Sequence, residues 1–168
     1  MNVHSEFKSD YPLNKLLPDS NLDLQILNHL PTAVYVCNLE GYIVFYNQPA
    51  VGLWKHSPTL LKDKWGGAKE IRNAANEFLE FHKGPMADAI LRGIERENFE
   101  LIFLRHDDEL RHVISNTKLI KNNDGKVIGA INMLNDITDQ IANGDSKGRL
   151  MAIADTCTDA IISSDLNG

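Results

Sequence analysis

The chain has 168 residues, of which 43% are hydrophobic and 24% charged, a composition typical of a globular domain with its own core. Its formal net charge of −6 excludes the broad basic surface that nucleic-acid binding requires. No run approaches the roughly 20 apolar residues that span a bilayer, and the two cysteines lie far apart, so we expect no membrane contact, disulfide framework or metal site. The polar N-terminus and the sparse cysteines predict a cytoplasmic setting.

The N-terminal part of the chain predicts a polar arm followed by a helix. Residues 1–20 are polar and contain Pro12 and Pro18, which is typical of an arm. Ser20 or Asn21 can cap a helix that ends before Pro31. The apolar residues of this helix repeat at helical spacing and share one face: Leu22, Ile26, Leu27 and Leu30.

A β-hairpin and a second helix are predicted next. Two β-rich runs, residues 33–37 and 42–46, flank Asn38-Leu39-Glu40-Gly41, where Gly41 supplies a positive φ. Asn47 can cap the helix that follows and that places Trp54 inward. Residues 55–84 are irregular, with a short helix predicted around residues 69–82 and another opening at Pro85.

Three further strands complete the predicted domain. They cover residues 99–104, 110–119 and 126–135, with turns at 106–108 and 122–125. The order of two strands, several short helices and three strands predicts an α+β domain. We therefore expect a five-stranded antiparallel sheet with short helices on one face, plus the N-terminal helix.

The end of the chain repeats its beginning. Residues 21–41 align without gaps on residues 148–168, so that Ile26 meets Ile153 and Gly41 meets Gly168. This predicts a first domain at residues 21–138, a linker at 139–149 and the start of a second, truncated copy at 150–168. The chain is then expected to come from a longer protein with tandem copies. The linker is compatible with a continuous helix, or with a break near Gly144.

The chain resembles a bacterial PAS domain over residues 22–138. The resemblance rests on LPTAVYVCNLEGYIVFYNQPAVGLW, on PMADAILRGI and on FELIFLRHDDELRHVISNTKLIKNNDGKVIGAINMLNDIT. DTCTDAIISSDLNG resembles the opening of a second PAS domain. The resemblance implies a non-catalytic sensory module that forms homodimers in a multi-domain two-component sensor, with further PAS and histidine kinase domains downstream.

The triplet Asp136-Ile137-Thr138 stands where the last strand of a PAS domain meets the outgoing helix. The resemblance implies that it transmits the signal from the sheet to that helix. Asp136 and Thr138 are also short hydrogen-bond acceptors, so a plain helix cap remains the alternative.

The resemblance also directs attention to an internal pocket. The candidate pocket residues are Tyr35, Cys37, Tyr46, Trp54, Trp65, Asn132 and Leu134. Asn132 interests us most, because a polar side chain among apolar neighbours needs a hydrogen-bond partner. For Cys37 and the two tryptophans, a role in ordinary core packing is the alternative.

The cofactor is unknown from the sequence. Flavin photosensors of this family carry a cysteine within the segment that corresponds to residues 48–84, and a glutamine at the position of Leu134. This chain has neither, which argues against a covalent flavin photocycle. His82 is the candidate haem ligand, with a solvated histidine as the alternative. Three functions remain open: a small-ligand sensor, a ligand-free dimerisation and relay module, and a haem or flavin sensor of redox state or gas.

Overall fold

The computed structural model describes residues 21–144, with side chains from residue 25 onward. The predicted arm, most of the predicted linker and the predicted second copy lie outside the described residues. The elements in chain order are α1 (Asn21–His29), β1 (Ala33–Asn38), β2 (Ile43–Tyr46), α2 (Gln48–Trp54), β3 (Glu70–Asn73), β4 (Phe78–Leu79), a 3₁₀ turn (Phe81–Lys83), α3 (Pro85–Arg92), β5 (Arg96–Leu104), β6 (Leu110–Lys121) and β7 (Val127–Asp136). A helix over residues 138–144, here called the exit helix, follows β7.

The strands form a single antiparallel sheet in the order β2-β1-β7-β6-β5-β3-β4. The last strand, β7, lies between β1 and β6, so the closing segment of the domain occupies the middle of the sheet. The predicted α+β class with short helices is confirmed. The predicted hairpin of β1 and β2 is present, with Gly41 at a φ of +83°, and the predicted turns at 106–108 and 122–125 connect β5 to β6 and β6 to β7.

The predicted strand count was wrong, because the sheet has seven strands rather than five. The residues predicted as a helix around 69–82 form β3, β4 and the start of the 3₁₀ turn instead. β3 pairs with β5, so that Ile71 lies opposite Phe103 and is buried. This long-range pairing decides the conformation of a short polar segment whose own sequence favours no strand.

The inner face of the sheet carries the main core. Alternate residues of the central strands point toward α2 and α3, as the two-residue period of a strand requires. Trp54 fills the centre of this core and is 1% exposed, with its ring edge-on to Tyr35 at 5.2 Å between ring centroids. The other buried members include Cys37, Ile43, Leu53, Met86, Ala89, Leu101, Phe103, Val113, Ala130 and Leu134.

The outer face of the sheet is covered at two places by the helices that enter and leave the domain. Leu27 of α1 packs against Val36 and Phe45. Ile141 of the exit helix packs with Ile137 against Ile114 of β6. The incoming and outgoing helices therefore both rest on the sheet itself.

Asn47 joins the incoming helix to the sheet. Its side-chain oxygen accepts from the amide of Val34 at 3.0 Å and, as the predicted cap of α2, from the amide of Ala50 at 3.2 Å. Its amide nitrogen donates to the carbonyls of Leu27 at 3.0 Å and Thr32 at 2.9 Å. The side chain is 1% exposed, so all four bonds are formed away from solvent.

Candidate functional site

The space between the inner face of the sheet and its helices is almost filled. A cavity of about 20 Å³ remains, which is enough for one water molecule. Its walls come from β1, β7, β5, the segment 65–71 and the start of α3. The lining residues are Tyr35, Trp54, Trp65, Gly66, Gly67, Ala68, Ile71, Phe81, Gly84, Pro85, Met86, Leu101, Phe103 and Asn132.

A chain of hydrogen bonds crosses three strands beside this cavity. Tyr35 on β1 accepts from the Asn132 amide of β7 at 3.2 Å, and its hydroxyl donates to the carbonyl oxygen of Trp65 at 2.9 Å. The side-chain oxygen of Asn132 accepts from the Ser115 hydroxyl of β6 at 2.8 Å. Asn132 and Ser115 are buried, so their polar atoms depend on these protein partners.

The same burial fixes the protonation state of the pocket groups. Burial raises the pKa of Tyr35, an effect that its hydrogen bond with Asn132 only partly opposes. Burial likewise raises the pKa of the Cys37 thiol. Cys37 therefore stays a protonated thiol inside the core, which removes the thiolate that nucleophilic chemistry needs.

The structure brings four of the seven candidate pocket residues to the cavity wall: Tyr35, Trp54, Trp65 and Asn132. Cys37 and Leu134 belong to the same core but do not line the cavity. Tyr46 donates its hydroxyl to the carbonyl of Pro58 at 2.9 Å, away from the cavity wall.

Two glycines allow the rings of Trp54 and Trp65 to pack closely against the backbone. A Cβ on Gly67 would lie 2.3 Å from the ring of Trp54, so only glycine allows the chain to pass there. A Cβ on Gly41 would lie 2.5 Å from the ring of Trp65, which rests on the first hairpin. Trp65 itself has a φ of +68°, a backbone conformation that is costly for a residue with a side chain.

The triplet 136–138 is tied to the neighbouring strand β6. The amide of Ile137 donates to the carbonyl of His112 at 2.8 Å, and the amide of His112 donates to the hydroxyl oxygen of Thr138 at 2.9 Å. The Thr138 hydroxyl in turn donates to a carboxylate oxygen of Asp136 at 2.6 Å, and the Thr138 amide donates to the same oxygen at 3.0 Å. The start of the exit helix is therefore locked onto β6 by both backbone and side chain.

A groove lies on the surface near this exit. It has a volume of about 440 Å³ and runs between the end of β7, the start of β1 and α2. Its walls are formed by Pro31, Thr32, Ala33, Pro49, Gly52, Leu53, Leu134, Asn135 and Asp136. Leu134 thus connects the core to the groove rather than to the cavity.

The histidine chosen as a candidate haem ligand stands outside the pocket. His82 lies in the 3₁₀ turn with its side chain 53% exposed and 3.3 Å from the Glu80 carboxylate, and it does not line the cavity. Within residues 21–144 no group of three or more histidine, cysteine or acidic side chains is placed to hold a metal ion. Over the same residues, no helix is long and apolar enough to cross a membrane.

Sequence reasoning missed the buried hydroxyls of β6 near Asn132, of which that of Ser115 donates to the Asn132 side-chain oxygen. Ser115 and Thr117 lie on β6 amid residues that look like a solvated strand, yet both are 0% exposed. Their burial follows from the pairing of β6 with β7, in which Ser115 lies opposite Leu134 and Thr117 opposite Asn132. Residues 113–117, VISNT, show no polar–apolar alternation that would indicate the inward direction of these hydroxyls.

No family model and no curated protein sequence matches the chain. Solved structures do match. A PAS domain of a protein from Colwellia psychrerythraea superposes with a TM-score of 0.51 at 18% identity, covering 70% of this chain and 95% of that one. The PAS domain of the fruit-fly ELK potassium channel gives a TM-score of 0.54 at 19% identity, covering 68% and 93%. The PAS domain of an HTR-like protein from Haloarcula marismortui gives 0.51 at 16% identity, covering 74% and 97%.

These likenesses establish the fold. The described part of the chain has the PAS fold, with a leading helix and two additional short strands at one edge of the sheet.

Proposed function

We propose that this domain is a sensory or relay module of a larger signal-transduction protein, and that it passes changes in its core along β7 to the exit helix. The observation that carries the proposal is the position of Asn132 and Asp136 on one strand. Asn132 is the middle member of the buried hydrogen-bond chain beside the cavity, and Asp136 holds Thr138 at the start of the exit helix.

The geometry of β7 supports this coupling. Asn132 and Asp136 are four residues apart on the same face of the strand, a distance of roughly 13 Å. β7 is paired on both sides, with β1 and with β6, so it is held as a rigid element. A change in the hydrogen-bond partners of Asn132 therefore shifts β7 as a unit relative to β6. The hydrogen bonds between His112 and residues 137 and 138 carry that shift into the exit helix.

The filled interior favours relay over permanent ligand storage. A cavity of about 20 Å³ holds one water but no metabolite, so the described conformation is that of a packed module. We further propose that the module works as a homodimer, with the protein's output domain a histidine kinase. The apolar outer face supports the dimer, since Met133 on β7 and Ile26 on α1 are 38% and 52% exposed.

A small-ligand sensor is the second candidate function. The combination of aromatic walls with the Tyr35 hydroxyl and the Asn132 amide suits a planar ligand in an opened conformation. An absorption spectrum and mass spectrometry of co-purified small molecules test this candidate. A coloured sample or a bound metabolite supports the ligand sensor, whereas a colourless, ligand-free protein that no metabolite stabilises contradicts it.

The relay function is tested with Asp136→Ala in the full-length protein. The variant removes the acceptor of two bonds from Thr138 while the core stays folded, which near-ultraviolet circular dichroism checks. We expect the output activity, measured as autophosphorylation, to change. Asp139→Ala, an exposed acidic residue one turn further on, is the control and should leave output as it was. Unaltered output in Asp136→Ala would overturn the role of the triplet.

A further inference from the structure

The turn between β5 and β6, residues 105–109, touches the cavity wall on one side. The amide of His106 donates to the carbonyl of Trp54 at 3.1 Å, and its ring nitrogen Nε2 lies 3.1 Å from the carbonyl oxygen of Gly67. The same ring stacks on His56, with 4.1 Å between ring centroids and 20° between planes. Trp54 and Gly67 both line the cavity, so a displacement of this wall also displaces His106 in the turn.

The other side of the turn is connected to the exit segment by charged side chains. Arg105 is buried, with a side chain only 8% exposed, and its guanidinium bonds Asp107 and Glu109, the latter at 2.7 Å. Glu109 also accepts from Arg111 at 2.7 Å. Arg111 lies 3.9 Å from the carboxylate of Asp136.

This series is continuous from the turn to the exit helix. The pKa of Arg105 is raised, first by the hydrogen bond with Asp107, while the charges of Glu109 and Asp136 act in the same direction. The guanidinium of Arg105 is held by two carboxylates at once, so a shift of Arg105 displaces both partners. Glu109 contacts two arginines at once, so a shift of Arg105 changes the position of Arg111 relative to Asp136.

From these contacts we infer that the β5–β6 turn is a second route between cavity wall and exit helix, with His106 and Glu109 as its positioning residues. The inference rests on the proposed relay function and specifies how it is regulated. The route runs from Gly67 to His106 and Arg105 of the turn, and then through Glu109 and Arg111 to Asp136. It lies beside the direct route along β7. It makes the exit helix responsive to the segment 55–69 as well as to Asn132.

A double-mutant cycle on the 168-residue chain separates this route from the one along β7. Gly67→Ala disturbs the wall at one end, because its Cβ would collide with Trp54. Hydrogen exchange at the amides of Ile137 and Ile141, which bond the carbonyls of His112 and Ile137, reports on the other end. Trp54→Phe is the milder wall variant should Gly67→Ala fail to fold.

Glu109→Gln weakens both arginine contacts with little change of shape. Glu97→Gln is its matched control. Glu97 on β5 forms an ion pair with Lys118 on β6, and it is exposed like Glu109. We expect the wall variant to change exchange at Ile137 by about fivefold or more. In the Glu109→Gln background this change should fall by at least about half, whereas in the Glu97→Gln background it should persist.

The outcomes distinguish the inference from the proposed function. Equal effects in both backgrounds would overturn the role of the turn and leave the relay along β7 standing. If the wall variant leaves the exchange rates of Ile137 and Ile141 unchanged in every background, both the role of the turn and the proposed relay function would be overturned.

Discussion

At the scale of single residues, three buried or half-buried polar side chains join the helices and strands of this domain. Asn47 fastens α1 to the sheet, Asn132 links three strands, and Thr138 fastens the exit helix to β6. Each is placed where an apolar residue of similar size would leave buried backbone or hydroxyl groups without partners. Their positions mark the entry, the interior and the exit of the domain.

Replacing Asn47 by alanine tests the entry. The change removes four buried hydrogen bonds and leaves the amide of Val34 and the carbonyls of Leu27 and Thr32 without this partner. We expect the free energy of unfolding to fall by about 2–4 kcal/mol, measured by urea denaturation. Asn28→Ala, at an exposed position of α1, is the control and should shift it by less than about 0.5 kcal/mol. A small loss at Asn47 would show that α1 is fastened by other contacts.

Acid sensitivity should follow from the acidic groups of the β5–β6 turn. Hydrogen bonding by Arg105 lowers the pKa of Asp107 in the folded protein, so the unfolded chain binds more protons at acid pH. The stabilisation is present above the ordinary aspartate pKa of about 4 and is lost as pH falls through that value and below. Asp107→Asn should flatten the decline in unfolding free energy between about pH 5 and pH 3. If the unfolding free energy of Asp107→Asn depends on pH as before, the Arg105–Asp107 pair contributes nothing to the loss of stability at acid pH.

At the scale of elements, the exit helix depends on β6 as much as on β7. Its first residues bond the backbone of His112, and Ile141 packs beside Ile114. The seven described residues 138–144 would be marginal as an isolated helix, so these contacts stabilise them.

Thr138→Val tests that dependence. Valine keeps the shape and the β-branch but removes the hydroxyl that accepts from His112 and donates to Asp136. We expect the His112 amide to exchange about tenfold faster, while Val113 on the same strand keeps its rate. Equal protection of His112 in both proteins would show that the hydroxyl does not fasten the helix.

The elements also show where sequence reasoning succeeds. The predicted strands are those with uninterrupted apolar, β-branched or aromatic runs, as in IVFY of β2 and LIFL of β5. EIRN is too polar and FL too short to identify β3 and β4, which exist because β5 offers a free edge. Pairing between distant segments, which also buries Ser115, is not encoded in local patterns.

At the scale of the whole molecule, the fold places β7, the last strand of the described residues, inside the sheet between β1 and β6. β7 contacts the core through Asn132 and the exit through Asp136, and the charged turn between β5 and β6 reaches the same exit. Under the proposed relay function, the packed interior, with room for one water, means that a signal travels as shifts of strands and side chains. The candidate triplet 136–138 was identified from resemblance, whereas its anchoring on His112 could be learned only from the three-dimensional pairing.

The most direct test of the account compares hydrogen exchange at the amides of Ile137 and Ile141 in Asn132→Leu with exchange in the unsubstituted chain. Met133→Leu, one residue away on the outer face, is the matched control. We expect Asn132→Leu to accelerate exchange at both amides by about fivefold or more beyond any change in global stability, and Met133→Leu to leave them unchanged. Equal rates at both amides in the Asn132 variant and in the unsubstituted chain would contradict coupling between the core and the exit helix.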